Sequence, residues 1–329
     1  MFKHIIYIEK DVEKYTSTQN IIQKLQPPHI EIIDHYKEVL NQPNSNWLFN
    51  KAYQKIILAK RKDEFYYNGS ALTHSIGFKH FYYNTLALNC LYHCEYCYLQ
   101  GMYNTPHIVL FLNNNDFLSA TKQLIKKIND KIYLALSYDT DLPALEKYYP
   151  YCQEWIDFAN KQKLLNIEIR TKSNQLSFLN HCRPSDNVLL SFTLSPDIIQ
   201  QLYEPFTPSL TQRLNAIKTA LNNNFNVMLC FDPLIHIQNF QDIYSDFFEK
   251  IFKEINPSSI KATSVGTFRM NNEFLKRIRK NGNTSDLYFY QYEVKNKIVT
   301  YPESLKNDLI IFVKKELSKY NIQNIFVYE

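Results

Sequence analysis

The chain has 329 residues and carries 37 basic against 32 acidic side chains, a net charge of +5, with 45% hydrophobic and 15% aromatic residues. This is enough apolar material for one large domain or two smaller ones, and the mild positive charge permits a polyanionic partner without demanding one. Only 5 glycines are present, with neither GxGxxG nor a P-loop, which excludes a glycine-rich nucleotide loop; no run approaches about 18 consecutive apolar residues, so no membrane span is expected and the protein reads as cytoplasmic.

Residues 2–8 read as a strand, and 19–25 as a helix between the N-cap candidates Thr16-Ser17-Thr18 and the stop Pro27-Pro28. Further strands are expected at 30–36 and 53–60, completing a small α/β cap over 1–79. The apolar run 81–89 fits a buried strand that delivers Cys90 to a loop. Strands at 132–137, 165–170, 188–194, 226–231 and 260–265 then alternate with helices at 116–129, 142–161, 175–179, 209–222 and 240–255. This alternation predicts an α/β fold with a parallel sheet and right-handed crossovers, a partial (β/α)6 barrel over 80–285. Functional residues of such barrels sit at strand C-terminal ends. The Cys90 loop, Asp139, Asp141, Lys172, Thr193, Asp232 and Gly266-Thr267 all fall there. A last unit over 286–329 holds a β-hairpin at 287–301 turning at Lys295-Asn296, a helix opened by Pro302, and a closing strand at 322–327.

Cys90, Cys94 and Cys97 stand at Cys-x3-Cys-x2-Cys within Cys90-Leu91-Tyr92-His93-Cys94-Glu95-Tyr96-Cys97-Tyr98-Leu99-Gln100, half of the 6 cysteines of the chain. Thiolate is the soft ligand that iron–sulfur clusters and zinc select. A structural zinc and an ordinary cubane each want four protein ligands, and only three are local. Either another residue completes the set, such as His93 or His80 on zinc, or one metal position stays open for a small molecule, as catalysis requires. Cys152, Cys182 and Cys230 are isolated in sequence, which argues against a disulfide framework.

The cysteine spacing, with Tyr96 just before the third thiol, resembles the radical S-adenosylmethionine (SAM) signature. In that superfamily three cysteines hold a [4Fe–4S] cluster whose fourth iron takes the amino and carboxylate groups of SAM. Reductive cleavage of SAM then gives methionine and a 5′-deoxyadenosyl radical. Further blocks run along nearly the whole chain: Tyr7-Ile8-Glu9-Lys10-Asp11, Asp139-Thr140-Asp141, Ala144-Leu145-Glu146 and Arg170-Thr171-Lys172-Ser173. They continue with Ser191-Phe192-Thr193-Leu194-Ser195-Pro196, Tyr203-Glu204, Arg213-Leu214, Asp232-Pro233 and Gly266-Thr267-Phe268-Arg269. Together they resemble the spore photoproduct lyase family, radical SAM enzymes that reverse the methylene-bridged thymine dimer in DNA. The resemblance implies a carbon–carbon lyase acting on damaged DNA. It would carry a [4Fe–4S] cluster on Cys90, Cys94 and Cys97, bind SAM, and draw electrons from a reductant such as flavodoxin or ferredoxin.

Placement at strand ends nominates residues for the cofactor. Lys172 suits the SAM carboxylate, with a solvated surface lysine as the plain alternative, and Thr140, Ser191, Thr193 and Asp232 suit other groups of SAM. Hydroxyls at strand ends also cap helices, and Asp before Pro also forms turns. Tyr96 and Tyr98 match tyrosines of the family's hydrogen-transfer path. Arg269 suits a substrate phosphate, and Tyr292 and Tyr301 suit base stacking; an internal ion pair and sheet packing are the plain alternatives. Two positions depart from the family. Tyr138 stands where the lyases carry the cysteine that returns a hydrogen atom to the product radical, which makes its phenol a catalytic candidate to supply that atom, and Thr300 stands where they carry an arginine. The scaffold and SAM chemistry therefore transfer better than the substrate does. Three functions stand: repair of a thymine-dimer-type lesion; the same chemistry on a modified nucleotide, peptide or small molecule; or a metal-stabilised nucleic-acid-binding protein without catalysis.

Overall fold

The computed structural model describes residues 5–43, 45–70, 73, 75–322 and 324–328. Phe2, Lys3 and His4 of the first expected strand and Gln323 of the last lie outside the described residues. Strands β1 (Ile6–Glu9), β2 (Ile30–Ile33), β3 (Ile56–Ala59), β4 (Tyr67–Asn68), β5 (His80–Tyr83), β6 (Ala87–Leu88) and β7 (Ile108–Phe111) form the first third. Then β8 (Ile132–Ala135), β9 (Leu165–Thr171), β10 (Val188–Thr193), β11 (Asn226–Leu234) and β12 (Ile260–Thr267) alternate with helices. The chain closes with β13 (Arg269–Asn271), β14 (Glu293–Lys295), β15 (Ile298–Thr300), the helix Glu303–Ser318 and β16 (Ile325–Tyr328).

The main sheet has the order β16-β12-β11-β10-β9-β8-β5-β4. Its six central strands, β5 and β8 to β12, are all parallel, which is the expected (β/α)6 half-barrel. Two strands beyond the expected six extend it: β16 runs parallel to β12, and β4 runs antiparallel to β5. A smaller sheet, β2-β1-β3-β7-β6, packs the N-terminal segment. Its strands β3 and β7 are completely buried, so both read as unbroken apolar runs instead of alternating ones. The strand expected at 81–89 is two strands in different sheets, parted at Asn84, whose side chain accepts from the Ser137 N–H at 3.0 Å.

The helix expected over 142–161 is likewise broken, into Leu142–Leu145 and Tyr151–Ala159. Pro150 has no N–H to continue the first segment and sits at the N-cap of the second. Glu146 takes over the capping, accepting from the N–H groups of Cys152 at 2.7 Å and Gln153 at 2.9 Å. The helix Leu210–Asn222 starts where Ser209 and Gln212 form a reciprocal capping box. The C-terminal hairpin is shorter than expected and turns one residue later, at Asn296 and Lys297, both with positive φ, as a tight primed turn requires.

Candidate active site at the barrel mouth

Cys90, Cys94 and Cys97 lie on the loop between β6 and the short helix Leu99–Met102. All three are free thiols, Cys94 buried and the others half-buried. The loop begins at Asn89, whose φ of +62° is left-handed, a conformation Asn tolerates better than most residues. Its side chain donates to the carbonyls of Thr105 at 2.9 Å and His107 at 2.8 Å. Lys51 Nζ donates to the carbonyls of Cys90 at 2.7 Å and Tyr92 at 3.0 Å, and Gln54 joins it on Cys90 at 3.0 Å. Gln100 donates to the Cys94 carbonyl at 2.9 Å, and Glu95 N–H to the Tyr203 carbonyl at 2.8 Å. The backbone is thus pinned while the sulfurs stay free. Burial pushes each thiol up to about 12; coordination to a metal is what turns such a thiol into thiolate.

Beside this loop stands Lys172, at the end of β9. Its ammonium lies 5.4 Å above the Tyr96 ring. Among the described residues no hydrogen bond to a carbonyl or carboxylate answers it. Asp141 fixes its backbone, accepting from Lys172 N–H and the Thr171 hydroxyl, each at 2.7 Å, and from Ala144 N–H at 3.3 Å. Tyr96 donates its hydroxyl to Glu204, which also accepts from Ser195 at 2.6 Å and from the buried Arg213. Burial alone would raise the Glu204 carboxyl, but Arg213 and Lys172 outweigh it and hold the group at about 2. Tyr98 donates to the Tyr138 carbonyl at 3.0 Å and to Asp139 at 3.1 Å. The Thr140 and Ser191 hydroxyls are shut away from solvent without a hydrogen-bond partner at bonding geometry, and the Tyr138 phenol is buried with Thr73 beside it. A polar ligand would answer such orphaned groups.

Other expected residues find partners in the fold. Asp232 and Arg269, assigned to cofactor and substrate, meet each other: both Arg269 amino groups reach the carboxylate, at 2.8 and 3.0 Å. Arg269 also stacks 4.7 Å over Tyr328. Gly266 leaves room for this pair, since a Cβ there would sit 2.8 Å from both Arg269 Nη1 and Asp232 Oδ1. Thr193 is buried, and its carbonyl accepts from Arg213 at 3.1 Å. Tyr292 stacks on Phe268 at 4.9 Å, and its hydroxyl donates to the Leu287 carbonyl at 2.7 Å. Tyr301 is only 1% exposed and accepts from His236 N–H at 3.0 Å, so no base reaches its ring in this arrangement.

The two histidines considered for zinc differ: His80 is paired, whereas His93 Nε2 is shut away from solvent without a hydrogen-bond partner at bonding geometry. His80 pairs with Asp130 at 3.4 Å, and His93 packs against Trp47, where burial lowers it to about 4. No three His, Cys, Asp or Glu side chains among the described residues gather to hold a single metal ion, a convergence that a cubane, with each thiolate on its own iron, does not ask for. Sequence reading missed Lys51 and Gln54, which carry no motif. It also missed the Glu168–Arg170–Tyr328 cluster, in which Arg170 reaches Glu168 at 3.0 Å and the Tyr328 hydroxyl at 2.9 Å. The signal was there: Asn166, Glu168 and Arg170 recur at period two on one face of β9, opposite the apolar Leu165, Ile167 and Ile169.

A parallel half-barrel with a three-cysteine loop at its mouth, a cation beside the thiols and orphaned hydroxyls behind them defines a radical SAM protein. The family model for spore photoproduct lyase matches residues 1–315. The spore photoproduct lyase of Bacillus subtilis (strain 168) is 22% identical over 254 residues, covering 75% of this chain and 72% of that protein. That of Geobacillus sp. (strain Y412MC61) is 19% identical over 258 residues, covering 76% and 73%. A solved spore photoproduct lyase double mutant with bound AdoMet and dinucleoside spore photoproduct superposes with a TM-score of 0.85 at 15% identity, covering 100% of this chain and 98% of that one. The chain belongs to the spore photoproduct lyase family.

Proposed function

We propose that this enzyme binds damaged DNA at the barrel mouth and repairs a thymine-dimer-type lesion by hydrogen abstraction. When bound, the [4Fe–4S] cluster and SAM supply a 5′-deoxyadenosyl radical. Cys90, Cys94 and Cys97 hold the cluster, Lys172 takes the SAM carboxylate, and Thr140 and Ser191 offer their unpartnered hydroxyls to SAM. Glu204 and Asp139 hold the phenols of Tyr96 and Tyr98 beside that site, where hydrogen transfer takes place. Thr193 works from behind through its carbonyl on Arg213, and Asp232 through its pairing with Arg269. Electrons come from a flavodoxin or ferredoxin in the cytoplasm; no helix among the described residues is long and apolar enough to cross a membrane. The observation that carries this reading is the Lys172 ammonium, which lies over the Tyr96 ring and within the field of Glu204 but makes no hydrogen bond to a carbonyl or carboxylate among the described residues, beside three pinned free thiols.

Anaerobic reconstitution with SAM and dithionite, with and without thymine-dimer oligonucleotides, tests it. The expected result is 5′-deoxyadenosine formation and restored thymines. Lesion DNA that neither binds at low salt nor stimulates SAM turnover would overturn the DNA reading. Tyr138 and Thr300 at the positions of the family's cysteine and arginine favour one alternative, the same SAM chemistry on a modified nucleotide, peptide or small molecule. In that case 5′-deoxyadenosine forms and the lesion stays intact.

A further inference from the structure

Lys51 stands in the last turn of the helix Trp47–Ala52 and turns its ammonium onto the cysteine loop. It is half-buried, lies 5.7 Å from the centre of the Trp47 ring, and donates to the carbonyls of Cys90 at 2.7 Å and Tyr92 at 3.0 Å. Pinning such oxygens needs no charge: the neutral Gln54 amide serves the same Cys90 carbonyl at 3.0 Å. Among the described residues Lys51 has no carboxylate partner; burial lowers it to about 8, and the groups that work against burial are Cys90, Cys97 and Cys94. On the thiols, burial pushes all three up, while Lys51 draws Cys90 down, Lys172 draws Cys94 down, and both act on Cys97. A charge drawn out of water costs free energy unless an opposite charge answers it. Neutral thiols do not answer an ammonium; the thiolates that come with a bound metal do.

We propose that Lys51 sets how readily the [4Fe–4S] cluster on these thiols is reduced, a reading that rests on the cluster assignment above. Three thiolates outweigh a [4Fe–4S]2+ core by one negative charge, and one electron from a low-potential flavin or iron–sulfur reductant adds a second. The ammonium attracts the more negative form more strongly, which raises the midpoint potential. The reductant loses one electron, the cluster gains it, and Lys51 keeps its proton throughout. Lys172 is matched by the SAM carboxylate in the proposed site, and Arg213 by Glu204. Lys51 is the cation left for the cluster.

The test is a redox titration of the reconstituted protein without SAM or DNA. The reduced cluster is read by electron paramagnetic resonance, and iron and sulfide are counted in every variant. At the potential where the parent is half reduced, Lys51→Met is expected to lower the reduced-to-oxidised ratio at least tenfold, a midpoint about 59 mV more negative for one electron. Lys51→Arg, which keeps the charge, and Gln54→Met, which removes only a neutral donor, are expected to titrate with the parent. Should Lys51→Met take up no iron, Lys51→Gln is titrated in its place. The proposal is overturned by a parent-like midpoint in a neutral variant that holds the cluster, or by a drop as large in Gln54→Met or Lys51→Arg. Loss of the cluster from both neutral variants would make Lys51 a pin on the loop and overturn it too. A parent that takes up no four-iron cluster would overturn the cluster assignment itself, and this inference with it.

Discussion

Two groups of polar residues at the strand ends look alike in sequence and differ in what answers them. Around Asp232 every charge is met: Arg269 chelates the carboxylate, Arg170 approaches to 3.9 Å and also reaches Glu168, and Tyr328 lies under both arginines. Around Lys172 the fold falls short: the ammonium feels the Glu204 carboxylate but no carbonyl or carboxylate among the described residues hydrogen-bonds it, and the hydroxyls of Thr140 and Ser191 are left bare. An unmet buried polar group costs on the order of 1–3 kcal/mol. A fold that carries several such groups in one place is built for a ligand, whereas a fully paired cluster is built for itself. Position at a strand end nominates a residue; the partner inside the fold decides its role.

Variants that break this contrast should differ in kind as well as size. Cys94→Ala is expected to abolish iron–sulfur content and SAM cleavage together, read by iron and sulfide analysis after reconstitution; retained cleavage would reject the three-thiol assignment. Arg213→Leu strands the buried Glu204 carboxylate and should cost roughly 3–5 kcal/mol of stability, measured as a lower denaturant midpoint. Combining it with Glu204→Leu should recover part of that loss. Lys172→Ala should weaken SAM binding by roughly 10- to 150-fold, the worth of about 1.5–3 kcal/mol for a charge-assisted hydrogen bond, with iron content unchanged.

A smaller effect belongs to Glu146, whose carboxyl burial raises from 4.5 to about 7. Because its folded value lies above its unfolded one, its stabilising contribution is full below the unfolded value and is lost as pH rises through the folded one. Thermal unfolding from about pH 5 to about pH 8 should therefore show Glu146→Gln gaining stability relative to the parent as pH rises. Parallel curves would mean that Glu146 is not buried in solution.

Much of the architecture was legible because the pattern repeats: β8 to β12 are short segments with an apolar face or run, separated by helices, and topology follows from alternation. The cysteine loop was legible from spacing. What escaped depended on tertiary partners. The run 81–89 is mostly apolar and its polar residues Asn84, Thr85 and Asn89 are also compatible with one strand, so local pattern does not mark Asn84 as the point where the chain leaves one sheet for the other. The pairing of Asp232 with Arg269 spans 37 positions, so no local pattern in the sequence announces it. Tyr301 offered an aromatic ring to the eye and a buried acceptor to the fold.

The contrast reduces to one measurement, the affinity of the reconstituted protein for SAM in the parent, Lys172→Ala and Arg269→Ala. The predicted result is a large loss in Lys172→Ala with iron retained, and SAM affinity close to the parent's in Arg269→Ala. Parent-like affinity in Lys172→Ala together with a large loss in Arg269→Ala would contradict the assignment of the site.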